Sequence, residues 1–334
     1  MQALLYQRPH ALAVSTVPAP DLQDEHALIR PKYVGICGTD LHVWAGEMKA
    51  ARVPNTLGHE IVGEVVADAS GRLAPGTRVA VEPLLSCGTC RACREGARHV
   101  CRALRVMGVH ADGGAAELML APTHLLHPLP DEIDWRAAAC TEPTAVAVHM
   151  TRRAGVQMGD VVLVLGGGPI GYLLAFAARA AGAARVIVSE VSADRAARCR
   201  EAGLEVVAPD AAQPAILEAT DGEGADVVFE ATGHPAAVLA ATAAARVHGT
   251  ILIGGIAGAP PPVDLPAVIF RELTLIGSRV YESRDVRTAI DLIRRGAVNT
   301  ESLVTRIVPL ADAVSGGFEL LRDSRTEMKV LLEP

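Results

Sequence analysis

The sequence predicts an α/β protein in two parts, a β-rich N-terminal unit followed by a doubly wound parallel sheet. Three observations predict it. The texture changes near residue 155, from short alternating runs rich in Val, Pro and Gly to a regular alternation of strands and helices. An apolar strand there runs through a glycine-rich turn into a helix. The length of 334 residues allows about two domains with a core each. In order, residues 1–148 hold runs such as Ile61–Val66, punctuated by Pro18, Pro20, Pro54, Gly58, Pro75 and Gly76, which read as short strands and turns of a partly closed β-structure. Strands follow at Val161–Leu165, Arg185–Ser189, Asp226–Glu230, Thr250–Gly254 and Leu273–Gly277. Helices lie between them at Ile170–Ala181, Ala193–Ala202 and from Glu230 to Val247. Such spacing implies a parallel sheet covered on both faces. Beyond Tyr281 come a helix (Val286–Arg295), a strand near Arg306–Val308, another helix and a last strand, Lys329–Leu332.

Composition excludes several functions. Lys+Arg 31 against Asp+Glu 38 gives a net charge of −7, and aromatics make up 3%, so neither nucleic acid nor an anionic membrane surface is expected as a partner. Half the residues are hydrophobic and 21% charged, the balance of a globular chain. Val161–Ala178 carries no charge, but Gly166–Pro169 breaks it into strand and helix, so no membrane span is expected. Met1–Tyr6 lacks a basic stretch before a long apolar one, so no secretory leader is read. The seven cysteines, an odd number, argue for thiolates in a reducing compartment, the cytoplasm.

Three motifs carry chemistry. Cys87, Cys90, Cys93 and Cys101 are spaced to surround one tetrahedral zinc with no position open, a staple for a loop. Cys37, in Gly35-Ile-Cys-Gly-Thr39-Asp40-Leu-His42, is followed by Gly58-His59-Glu60 and, far along, by Thr141-Glu142-Pro143. Cys, His and carboxylate together suit a zinc that keeps a position for substrate. Gly166-Gly167-Gly168-Pro169-Ile170-Gly171 lies between strand and helix, where a pyrophosphate can approach the backbone at a helix N-terminus. Glu190 ends the next strand, placed to accept the adenosine ribose hydroxyls and to repel a 2′-phosphate, which favours NAD over NADP; Arg195 is nearby. His110, in a glycine-rich loop, and Trp44 are candidates for the substrate cleft or the core.

This combination resembles the zinc-dependent medium-chain dehydrogenases over nearly the whole chain. Glu142-Pro143 is similar to the polyol, butanediol and threonine branch, and Gly108–Gly114 to its sugar-acid members. The resemblance implies a GroES-like catalytic domain at 1–148, a Rossmann NAD-binding domain at 149–281 and a C-terminal return at 282–334. It places Cys37, His59 and a glutamate, Glu60 or Glu142, on a catalytic zinc, and Cys87, Cys90, Cys93 and Cys101 on a structural one. Thr39 and His42 match a proton relay, with Asp40 orienting His59. Gly166, Gly168, Pro169, Ile170, Gly171, Glu190 and Arg195 match NAD-binding positions; Gly254, Gly255, Ile256, Arg279 and Val280 would approach the nicotinamide half. The implied activity is hydride transfer from a secondary alcohol (polyol, vicinal diol or sugar acid) to NAD, in a homodimer or homotetramer pairing through Leu273–Val280. The alternatives are a threonine 3-dehydrogenase, a zinc-independent reductase on the same fold, and a catalytically silent nucleotide-binding scaffold.

Overall fold

In the computed structural model, which describes residues 1–323 and 326–334, the alternating runs before residue 142 become strands with a period of two. In His26–Gly35, Ala27, Ile29 and Pro31 are buried and Arg30 is exposed. Chain contacts divide the protein into two units. The first comprises Met1–Glu142, Glu282–Arg294 and Val304–Pro334; the second comprises Pro143–Tyr281 and Arg295–Leu303.

The first unit contains a three-stranded sheet, with Gln2–Arg8 between Ala11–Thr16 and Asn55–Thr56. Its large sheet runs in the order Leu126–Pro128, Arg78–Val81, Glu60–Asp68, His26–Gly35, Lys329–Glu333, Val304–Pro309, with Met119–Pro122 also pairing on His26–Gly35. The last strand therefore enters the middle of the sheet, antiparallel to His26–Gly35 and parallel to Val304–Pro309. Trp44 is in this unit's core, edge-on to Phe318 with ring centroids 5.9 Å apart. Helix Ser283–Arg294 is tied in through Ser283 Oγ, which donates to the buried Glu82 carboxylate (3.1 Å), whose other oxygen meets His127 Nε2 at 2.9 Å.

The second unit is a six-stranded parallel sheet in the order Glu205–Val207, Arg185–Ser189, Val161–Leu165, Ala225–Glu230, Ala245–Ile253, Thr274–Gly277. Val162, Leu163 and Val164 are all fully buried, as expected of a central strand covered on both faces. The order reverses between Val161–Leu165 and Ala225–Glu230, the place where ligands bind at the carboxyl ends of such strands. The helix after the glycine turn spans Pro169–Ala181, with Pro169 in its first turn and Gly182 closing it at φ +106°.

The helix expected to reach Val247 spans Pro235–Ala244 and ends at Ala244. Ala245 instead pairs with Ala225 and begins a strand, so sheet pairing overrides the helix propensity of the alanine run. Between the second helix and Ala225 the chain also forms a short edge strand, Glu205–Val207, and a helix, Ala212–Ala219. Among the described residues no helix is long and apolar enough to cross a membrane.

One turn of the first unit is organised by a carboxylate. Asp68 accepts hydrogen bonds from the backbone N–H groups of Ser70, Arg72 and Leu73 and from the hydroxyls of Ser70 and Thr123. Burial alone would raise its pKa, but the Thr123 hydroxyl and the Leu73 and Ser70 donors outweigh it and hold the group well below the usual carboxylate range. A depressed folded pKa contributes stability that is present above the unfolded value, about 3.9, and is lost as pH falls through the folded value. Asp68→Asn is therefore expected to lower the melting temperature at pH 7 and to narrow the difference from wild type in acid. Melting curves at both pH values check this; equal deficits at pH 7 and pH 2.5 would contradict it.

Candidate metal centre and dinucleotide site

The first group of donors is built around a short helix. The strand His26–Gly35 delivers Cys37 as the N-cap of helix Gly38–Trp44, and the backbone N–H of Cys37 donates to Asp40 Oδ2 at 2.9 Å. His59 and Glu60 stand at the start of the adjoining strand, where Glu60 pairs with Gly35. Donor atoms of Cys37, His59 and Glu60 lie within 4.8 Å of one another, with His59 and Glu60 buried. His59 Nδ1 is 3.2 Å from Asp40 Oδ1, which leaves Nε2 as the nitrogen available to a metal. Burial opposes charge on His59, but Asp40 and Cys37 favour it more strongly and hold its pKa well above the ordinary value.

Glu60 has a partner that sequence reasoning missed. Lys329 Nζ meets both of its carboxylate oxygens, at 2.6 and 2.7 Å, and also donates to Ile36 O at 3.2 Å. Burial would lower the ammonium's pKa, yet the charges of Glu60 and Cys37 hold it above its ordinary value. The lysine is 269 residues away in sequence and begins the last strand, so no local pattern marks the pairing. Glu142 lies in the first turn of helix Thr141–Ala154, outside this donor group.

The second group is Cys87, Cys90, Cys93 and Cys101, whose sulfurs also lie within 4.8 Å of one another. Three of the Sγ pairs are 3.5, 3.8 and 4.0 Å apart, close to the edge of about 3.8 Å of a tetrahedron with Zn–S bonds of ~2.3 Å. Backbone N–H groups of Cys87, Cys90 and Ala103 point at the sulfurs of Cys101, Cys87 and Cys101. The Thr89 backbone and hydroxyl and the Cys90 N–H pull the Cys87 thiol down to about 5, which favours the thiolate a metal needs. Both donor sets fit zinc: four thiolates in one, and thiolate, imidazole and carboxylate in the other.

In the second unit, Gly171 is required by close approach, since a Cβ there would lie 1.7 Å from Gly166 O. Glu190 sits against the glycine turn: its Oε2 accepts from Gly167 N–H and its Oε1 from Ser192 N–H, both at 2.7 Å. Arg195 reaches the same turn, its Nη1 3.9 Å from a Cβ built on Gly168. Gly254 and Gly255 donate to Glu230 O at 2.9 and 3.0 Å, Ile256 is exposed, and Val280 has a φ of +41°, a strained value for a β-branched residue. Gly166, Gly168, Pro169, Ile170 and Gly171 thus share one strand–helix turn with Glu190 and Arg195 beside it, while Arg279 and Val280 follow the edge strand. Thr39 and His42 share a face of helix Gly38–Trp44, three residues apart. His110 Nδ1 accepts from Val106 N–H at 3.1 Å, closing its own turn.

Residues 23–131 match the family described as alcohol dehydrogenase GroES-like domain, and residues 169–295 match zinc-binding dehydrogenase. The chain is 38% identical over 306 residues to a 2-dehydro-3-deoxy-L-galactonate 5-dehydrogenase of Pseudoalteromonas atlantica, covering 90% of this chain and 89% of the relative. It is 35% identical to the L-galactonate-5-dehydrogenase of Escherichia coli, covering 93% and 92%. The crystal structure of a zinc-binding dehydrogenase from Sinorhizobium meliloti bound to NADP superposes with a TM-score of 0.92 at 33% identity, covering 100% of this chain and 99% of that one.

Removing one partner of a buried ion pair leaves the other charge uncompensated. Lys329→Met is expected to cost about 3–5 kcal/mol of stability, read by urea denaturation. A loss below about 1 kcal/mol would mean that Glu60 does not depend on the lysine.

Proposed function

The chain belongs to the zinc-dependent alcohol dehydrogenases, and from that premise we propose that it oxidises a secondary hydroxyl of a sugar acid or polyol with NAD as hydride acceptor. The observation that carries the reading is the gathering of Cys37, His59 and Glu60 within 4.8 Å, next to the helix bearing Thr39 and His42. The sugar-acid class is supported by the relatives that act on galactonate and its dehydro-deoxy derivative. Zinc bound by these three residues would supply Lewis acidity toward a substrate hydroxyl, and bound NAD would supply the hydride acceptor.

The protein's own groups do the rest. Thr39 Oγ1 accepts the substrate's proton and passes it toward His42, three residues along the same helix face. Asp40 holds the His59 ring, and Lys329 holds the Glu60 carboxylate in place. Glu142 is assigned as the alternative carboxylate for the same metal, and Cys87, Cys90, Cys93 and Cys101 as the ligands of a second, structural zinc.

Gly166 to Gly171 receive the pyrophosphate, and Glu190 accepts the adenosine ribose hydroxyls through lone pairs left by its two backbone donors. That carboxylate supports NAD; Arg195, together with the NADP in the Sinorhizobium neighbour, supports the opposite preference. Gly254, Gly255, Ile256, Arg279 and Val280 are assigned to the nicotinamide half. Seven cysteines with none in a disulfide suit a reducing cytoplasm.

The test combines metal analysis with NAD- and NADP-linked oxidation of sugar acids, pentitols, vicinal diols and threonine. About two zinc ions per chain and fastest turnover on a sugar acid or polyol with NAD are expected. Thr39→Ala should lower kcat by roughly 100-fold or more while NADH affinity, read by fluorescence titration, stays unchanged. One zinc per chain with no turnover would remove the Cys37–His59 assignment, and preference for threonine would replace the substrate class.

We also assign self-association to the edge strand Thr274–Gly277. In the helix that leads into it, Leu265, Ile269 and Phe270 are 61%, 68% and 86% exposed, and among the described residues the strand is the edge of its sheet. Phe270→Asp is expected to shift the protein toward monomer in sedimentation velocity. An unchanged dimer or tetramer would move the interface elsewhere.

A further inference from the structure

Helix Gly38–Trp44 ends in a motif that gives His42 a fixed companion. Ala45 caps the helix, and Gly46 follows in the left-handed region at φ +77°. Gly46 N–H donates to Val43 O at 3.0 Å and Glu47 N–H to His42 O at 2.9 Å, the two reversed bonds of a Schellman cap. In that cap the residue after the glycine folds back onto the residue three places before the helix end. Here those two are Glu47 and His42, and the Glu47 carboxylate is bonded to His42 Nδ1. Any side chain at 46 would suffer both the positive φ and a Cβ 2.7 Å from Pro9 Cγ, so glycine is built into the arrangement.

We propose that Glu47 is a positioning residue of the proton relay, acting through His42; this rests on the assignment of His42 to that relay above. An ionised carboxylate only accepts hydrogen bonds, so Nδ1 must carry the proton and Nε2 keeps its lone pair. Nε2 is then the nitrogen that can take the proton arriving from Thr39. On accepting it the ring becomes an imidazolium facing the carboxylate, and it returns to neutral by giving one proton to solvent water or a buffer base.

An ordinary exposed ion pair would do little, since both side chains are half exposed or more, at 50% and 62%. This one differs because the backbone of the cap holds the two residues together. The other charged or titratable groups around the same hollow of about 220 Å³ are His10 and Arg322. Arg322 lies 5.2 Å from the Trp44 ring centroid and is paired with Asp323 at 2.7 Å. Glu47 is therefore the one carboxylate lining that hollow among the described residues.

The test measures kcat and kcat/KM against pH for the zinc-loaded wild type, Glu47→Gln, Glu47→Ala and His42→Ala, alongside melting temperatures and NADH titrations. Glu47→Ala is expected to lower the plateau of kcat about tenfold and to alter the acid limb of the profile. Glu47→Gln, which can still accept from Nδ1, should recover part of the plateau but not the limb. Added imidazole buffer should raise the plateau of Glu47→Ala and not that of wild type. Melting temperature and NADH affinity should not change. If His42→Ala is impaired and both Glu47 variants keep the wild-type plateau and limb, the role of Glu47 is overturned while the relay stands. If His42→Ala is itself unimpaired, the relay reading falls and the proposal with it.

Discussion

A single buried ion pair organises the catalytic half of this protein. The Lys329 ammonium and the Glu60 carboxylate are 2% and 1% exposed, and each is the charge that compensates the other there. Because the same ammonium also bonds Ile36 O, it fixes three things together: the start of the strand bearing His59 and Glu60, the turn that leads to Cys37, and the entry of the last strand. The donor group and the sheet that carries it therefore depend on one interaction between residues far apart in the chain.

The two candidate metal centres are contrasting solutions to metal binding. The four-cysteine lobe is saturated, with sulfurs spaced for a tetrahedron and backbone N–H groups neutralising part of their charge. The Cys37 group is mixed in donor type, and its acidic members are balanced by a lysine instead of further N–H groups. Such a site offers a metal fewer fixed ligands and a carboxylate whose partner can compete for it. The first arrangement suits a staple and the second a centre that handles a substrate oxygen.

The parts legible in the sequence were those governed by local rules. Val161–Leu165 and Arg185–Ser189 read as strands because both faces are buried and the apolar run is uninterrupted, and Gly182 marks the helix end by its need for a left-handed conformation. The four cysteines, and the motifs around Cys37 and His59, were visible because ligand spacing is a short-range pattern; the resemblance they carry supplied the rest of the site list. Lys329 was hidden because its importance comes from a pairing across the sheet, and Glu205–Val207 because three half-buried residues carry no periodicity. Of the two glutamates the sequence offers for the Cys37 group, Glu60 is gathered with Cys37 and His59, because it starts the strand paired with the one leading to Cys37.

The first unit is discontinuous, and this affects how the protein is made. A ribosome synthesises residues 1–142, then Pro143–Tyr281 with all six strands of the parallel sheet, and only afterwards the strand Lys329–Glu333 that lies between His26–Gly35 and Val304–Pro309. Until that strand emerges, the Val34–Gly35 end of His26–Gly35 lacks its partner on one side and Glu60 is without its counter-ion. The usual order, in which the domain made first also folds first, is thus inverted. All six strands of the parallel sheet are present in the nascent chain before the first unit has the strand that completes its large sheet.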